Sequence, residues 1–140
     1  MIDNAMQLYN LLIEQNIPVD GACPDVAKTG MPRVDYTPEA TAEEKSIGEK
    51  ISIGFEQAAM DIDVTTITVI VDEQDTHVVF SAWLSPVEPF DELGKLQERK
   101  TIAAVNGVAS YEFDLTPGLY LIRAYGILTF MSGFMEVEIT

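Results

Sequence analysis

Apolar positions recur with two different periods along the chain, and the period changes near Asp63. In the lead segment "MIDNAMQLYNLLIEQN", Ile2, Met6, Tyr9 and Ile13 fall at helical spacing, with Leu8 and Leu12 widening the stripe. Asp3 or Asn4 is placed to cap this helix. Pro18 disfavours helical backbone at Ile17, so the helix is predicted to stop near Asn16. The next stretch, "IPVDGACPDVAKTGMPRVDYTPE", is dense in Pro and Gly, and only "RVDY" within it reads as a short strand. A second helix is predicted from Thr41, whose partner Glu44 completes a capping box; the alternative start is Thr37, with Pro38 at the first helical position. Its apolar face is Ile47, Ile51, Phe55 and Ala58 or Ala59, and "MDID" is expected to end it. Gly48 and Gly54 weaken such a helix by about 1 kcal/mol each relative to alanine, so it needs tertiary support.

From Val64 the period becomes two. "VTTITVIV" sets Ile67, Val69 and Val71 on one face. "HVVFSAWL" sets Val78, Phe80, Ala82 and Leu84 on one face and Val79, Ser81 and Trp83 on the other. "KTIAAV" and "VASYEFDL" flank Asn106-Gly107, a strong hairpin signal because both residues accept positive φ. "GLYLIRAYG" and "GFMEVEIT" complete a set of short strands, with turn chemistry at "TPG" and "SG". The prediction is therefore an α+β chain: a helical segment over residues 1–61, then an antiparallel β-sandwich over residues 62–140.

Some apolar residues fall on the wrong parity for the sandwich core. If Tyr120, Ile122 and Ala124 point inward with Val78 and Phe80, then Leu119, Leu121 and Tyr125 point outward, joined by Phe134 from the last strand. Apolar area on the outer face of a sheet calls for a cover. Either the amphipathic helices of the same chain supply it, or another subunit does. Trp83 and Val79, on the outer side of their strand, form a separate candidate anchor. The candidate interface residues are accordingly Ile2, Met6, Tyr9, Ile13, Tyr36, Ile47, Ile51, Phe55, Trp83, Leu121, Tyr125 and Phe134.

Composition narrows the function. Eight basic residues stand against 23 acidic ones, a net charge of −15. Nucleic acid is excluded as an expected partner, since phosphates need cationic neutralisation, and an anionic membrane surface is disfavoured for the same reason. No apolar run approaches the ~18 residues of a membrane span. The start "MIDNAMQLYN" lacks the basic and apolar regions of a signal peptide, so synthesis in a cytoplasm is expected.

Catalytic chemistry finds little to work with. His77 is the only histidine and Cys23 the only cysteine, and they lie in different regions. Glycine-rich phosphate loops are not present, and no cofactor or structural metal is expected. "DID" at 61–63 and "DEQD" at 72–75 offer carboxylates to a calcium ion or, more plainly, are solvated turn residues.

Two stretches resemble known families. "TTITVIV", "HVVFSAWL", "VNGVASYEFDLTPGLYLIRAYG" and "FMEVEIT" together resemble the bacterial and phage Ig-like repeat domains, most specifically at Asn106-Gly107-Val108-Ala109 and Pro117-Gly118-Leu119-Tyr120. The short link "DEQDT" departs from that family, which usually carries an Asn/Gly-rich insertion there. The first half is similar to small phage proteins encoded among tail and fibre genes. It shares Ile17, Pro18 and Gly21, then Arg33, Asp35 and Tyr36, then Pro38 to Thr41 with Glu43 and Lys45. The resemblances imply an α+β fold, a short helical N-terminal segment followed by an antiparallel Ig-like β-sandwich. They imply a non-enzymatic structural component of a tailed-phage virion, associated with tail, fibre or baseplate. Its partners would be other virion proteins, with several copies per particle. A capsid decoration protein and a host-receptor or carbohydrate-binding module are the alternatives.

Overall fold

A computed structural model describes residues 4–23, 33–63, 65–85 and 95–140. Helix α1 runs Asn4–Glu14. Its buried face is Leu8, Leu11 and Leu12, at i, i+3 and i+4, and not the stripe that ended at Ile13, which is 44% exposed. Burying each of those leucines contributes about 1.5–3 kcal/mol. The helix ends before Pro18 as expected, with a specific device. Asn16 takes a left-handed conformation (φ 59°), its N–H donates to Ile13 and the N–H of Ile17 reaches back to the Leu12 carbonyl.

"RVDY" is a strand, β2 (Arg33–Tyr36), and it has a partner that the Pro/Gly density concealed: β1 (Val19–Cys23), paired antiparallel through Val19 and Tyr36. Helix α2 (Ala42–Gly54) starts at Thr41. The Thr41 hydroxyl accepts from the Glu44 N–H at 3.1 Å, and the Glu44 carboxylate accepts from the Thr41 N–H at 2.9 Å. Gly48 has a packing reason: a Cβ there would lie 2.6 Å from the Tyr36 hydroxyl, which donates to the Lys45 carbonyl at 3.1 Å. The tertiary support this helix requires is thus visible in the place where its propensity is weakest.

"MDID" does not end the helix. It belongs to strand β3 (Ala59–Asp63), entered after Phe55 turns extended and Glu56 adopts a φ of 58°. The β-rich part therefore begins five residues before Val64. The following strands are β4 (Thr66–Ile70), β5 (His77–Leu84), β6 (Leu96–Ala103), β7 (Val108–Glu112), β8 (Gly118–Gly126) and β9 (Ser132–Ile139). They form two antiparallel sheets, ordered β3-β4-β7 and β6-β5-β8-β9.

The Asn106-Gly107 turn forms with φ values of 53° and 76°, the signature of the primed hairpin turn. Its strands part company at once. Only Val105 and Val108 pair across the turn; β6 then pairs with β5 in one sheet and β7 with β4 in the other. The signal predicted the local geometry correctly and the pairing incorrectly, because the Gly107 carbonyl bonds the Val71 N–H (2.8 Å) of the neighbouring segment.

Two cores result. Ile67, Val69 and Val71 from one side meet Val78, Phe80, Ala82, Tyr120, Ile122 and Ala124 from the other, with Ala109, Phe113 and Val137. Leu8, Leu11, Leu12, Ile17, Val19, Ile51 and Phe55 form a second cluster, against which Tyr125 and Phe134 of the four-stranded sheet and Phe130 of the β8–β9 turn pack. Among the described residues, no helix is long and apolar enough to cross a membrane.

Candidate functional site

The outer face of the four-stranded sheet is where the predicted contact residues meet. In β8 both parities are buried: Tyr120, Ile122 and Ala124 toward the first core, Leu121 and Arg123 toward the helices. Phe55 of α2 lies 5.7 Å, ring to ring, from Phe134, and Tyr125 stacks on Phe130 at 6.1 Å. The Gln15 amide donates to the Tyr125 hydroxyl at 2.9 Å. Burial, before any charge, raises the Tyr125 phenol above its ordinary pKa.

Of the apolar residues on the wrong parity, Leu121, Tyr125 and Phe134 are thus covered by the chain itself, while Leu119 stays 45% exposed. Ile51, Phe55 and Leu121 are buried in this layer, and Tyr9, Tyr36, Ile47, Tyr125 and Phe134 are half-buried against it. These contacts are intramolecular. Among the described side chains of the α1 stripe, Ile13 alone is exposed. Met6 stands on α1, but its side chain lies outside the described residues, as does all of Ile2.

Trp83 sits in an ionic cluster that sequence reasoning missed. Register places Arg99, Ser81 and Arg123 side by side on β6, β5 and β8. Both guanidinium groups donate to one carboxylate, Glu14 at the end of α1. Both also lie over the Trp83 ring, with Cζ 5.8 Å (Arg99) and 5.7 Å (Arg123) from its centroid. The indole N–H donates to the Ser81 hydroxyl at 3.0 Å. Arg123 is 2% exposed, and burial lowers its pKa while the Glu14 charge opposes that shift. Its Nε and Nη1 have no hydrogen-bond partner among the described protein groups. One signal was available: Arg123 is a charge at outward parity in an otherwise apolar strand. Chemically the cluster is a clamp, fixing the end of α1 to three adjacent strands.

Asp75 is a second clamp. It is not a solvated turn residue, being 1% exposed. Its buried carboxylate accepts from the N–H groups of Leu128 (2.8 Å) and Thr129 (2.9 Å) and from the Thr129 hydroxyl (2.6 Å), tying the β4–β5 loop to the β8–β9 turn. Gly126 makes room for it, since a Cβ there would lie 2.1 Å from Asp75 Oδ2. Asp72 closes a local turn by accepting from the Gln74 N–H at 2.9 Å. Among the described residues no three His, Cys, Asp or Glu side chains gather as a metal site. His77 is exposed, with Nδ1 3.0 Å from the Thr76 hydroxyl.

The outer face of the three-stranded sheet is different, because no described element covers it. Ile70 is 51% and Val108 39% exposed, and they pair across β4 and β7. Compared with known proteins, the chain matches no family model, no curated protein and no solved structure.

Proposed function

We propose that this chain is a non-enzymatic structural protein of a tailed-phage virion, built on an Ig-like sandwich and acting through protein–protein contacts, at the tail, fibre or baseplate. The Ig-like reading is carried by strand order. Counted from β3, the first, second and fifth strands share one sheet; the third, fourth, sixth and seventh share the other. That order is consistent with the Ig arrangement, with its fourth strand moved to the edge beside the third. The Tyr120 hydroxyl supports it by donating to the Thr116 carbonyl at 2.7 Å, four residues back, at the entry to the sixth strand. This bond resembles the tyrosine corner of Ig-like domains.

The virion setting rests on the likeness of "NIPVDGAC" and "PRVDYTPEATAEEK" to phage tail-cluster proteins. The helical segment enters this reading in a changed role. Its apolar face is occupied by the chain's own sheet, so it thickens the plate and leaves docking to other surfaces. The Trp83 ring already carries two guanidinium groups, which removes the main support for a carbohydrate-binding module.

The test is localisation of the intact chain. Antibody labelling of purified particles, imaged by electron microscopy, should decorate the tail. Label spread over the head would favour the decoration alternative. Recovery of the protein only in the particle-free fraction would refute the virion role.

A further inference from the structure

We infer that the open face of the three-stranded sheet docks a different protein, one that presents an apolar patch and, about 14 Å away along the strands, a group of Lys or Arg side chains. The inference stands on the face itself and holds in any setting, virion or not.

Register sorts this face into three rows. Ala59, Ile70 and Val108 form an apolar row, extended by Val105, which pairs with Val108 and is 72% exposed. Asp61, Thr68 and Ser110 form the middle row, where the Thr68 and Ser110 hydroxyls satisfy each other at 2.8 Å. Asp63, Thr66 and Glu112 form the far row. Two residues along a strand span about 6.8 Å, so the apolar row and the far acidic row stand about 14 Å apart. No described Lys or Arg forms an ion pair with Asp61, Asp63 or Glu112.

Two features identify the occupant. The apolar row is exposed on a sheet whose other outward positions are polar, so its exposure is local and not a general deficit of polar residues. The acidic rows have no ion-pairing cation among the described residues, and the chain as a whole carries −15. A second copy fits poorly. The limiting directions of a two-fold axis in the plane of a face-to-face contact lie along the strands and across them, and no direction between brings a cation onto the carboxylates, because the three rows hold none. The first choice sets acidic row on acidic row; the second sets acidic row on apolar row. Both leave carboxylates desolvated without a counter-charge. A partner with its own apolar and basic pattern avoids both penalties.

The test places a photo-cross-linking benzoylphenylalanine at Ile70 in the full chain, expressed in the cells that naturally make it. The same group at Glu49, exposed on α2, is the control. The expected result is one discrete heterologous adduct from position 70 and none from position 49. The attached peptide should lie beside Lys or Arg residues. The combined variant Asp61→Lys, Asp63→Lys, Glu112→Lys should lower the yield at least tenfold. An adduct alone does not support docking; the charge dependence does. If the reversed variant melts early, the neutralised variant Asp61→Asn, Asp63→Asn, Glu112→Gln replaces it with the same expectation. An adduct with a second copy, a yield indifferent to the carboxylates, or no adduct at position 70 would each overturn the inference. A basic partner that is not a virion protein would leave this inference standing and sink the virion reading.

Discussion

The two outer faces of the sandwich differ in one respect that explains the rest: what occupies the outward parity. On the four-stranded sheet it holds Val79, Leu121, Tyr125 and Phe134 beside the cluster of Ser81, Trp83, Arg99 and Arg123; on the three-stranded sheet it holds Asp61, Asp63, Thr66, Thr68, Ser110 and Glu112, with one apolar row at the end. The first face cannot stay in water without a large cost, and two helices with a two-stranded sheet cover it. The second can stay in water and does. A cover is recruited by side-chain alternation, strand by strand, and the same alternation marks where one is lacking.

The largest expected effect tests the ionic clamp. Glu14→Ala leaves Arg123 buried without its carboxylate, and breaking a buried pair from one side costs about 3–5 kcal/mol. Replacing both partners, Glu14→Leu with Arg123→Met, should bring stability back to within about 1 kcal/mol of the parent or above it. Urea denaturation of the three chains measures both. A single variant that loses under about 1 kcal/mol would mean that α1 does not seal Arg123 from water.

The next compares the two faces directly. Leu121→Ala, at 0% exposure on the covered face, should cost about 2–5 kcal/mol. Ile70→Ala on the open face should change stability by no more than about 0.5 kcal/mol. Equal losses by thermal or urea unfolding would remove the distinction between covered and open faces.

Much of this contrast was legible in the sequence, and the reasons for the exceptions are physical. The Thr41–Glu44 box, the Asn106-Gly107 turn, the inward set on β8 and Val78, Phe80 and Ala82 on β5 are decided by neighbours in the chain, and they appear as expected; Leu84, assigned to the same inward face, lies at the strand end and is 42% exposed. The rotation of α1, which buries Leu11 and exposes Ile13, is set by what the helix packs on. Strand β3 was hidden because "AMDID" carries two aspartates, residues that strands seldom use, and it pairs as an edge. Arg123 and Asp75 acquire their roles from partners 109 and 53 residues away, beyond any local pattern.

The smallest effect sits on the seam between the sheets. The Tyr111 hydroxyl of β7 donates to the Glu98 carboxylate of β6, the bond that chiefly pushes its pKa up to about 12, with burial and the charges of Glu98 and Asp114 adding to it. Because the folded value lies above the ordinary 10.0, the neutral phenol is favoured by folding. Its contribution is complete below the unfolded pKa and fades as pH rises from about 10 to about 12. Tyr111→Phe removes that contribution at every pH. The melting temperatures of parent and variant should therefore differ at neutral pH and converge across that alkaline window. Comparing the two chains cancels the titration of Tyr36 and Tyr125, whose pKa values are also raised by burial. Solvent screens the pair, so the gap is small. A gap that holds constant through the window would show that the seam does not depend on a phenol donating to Glu98.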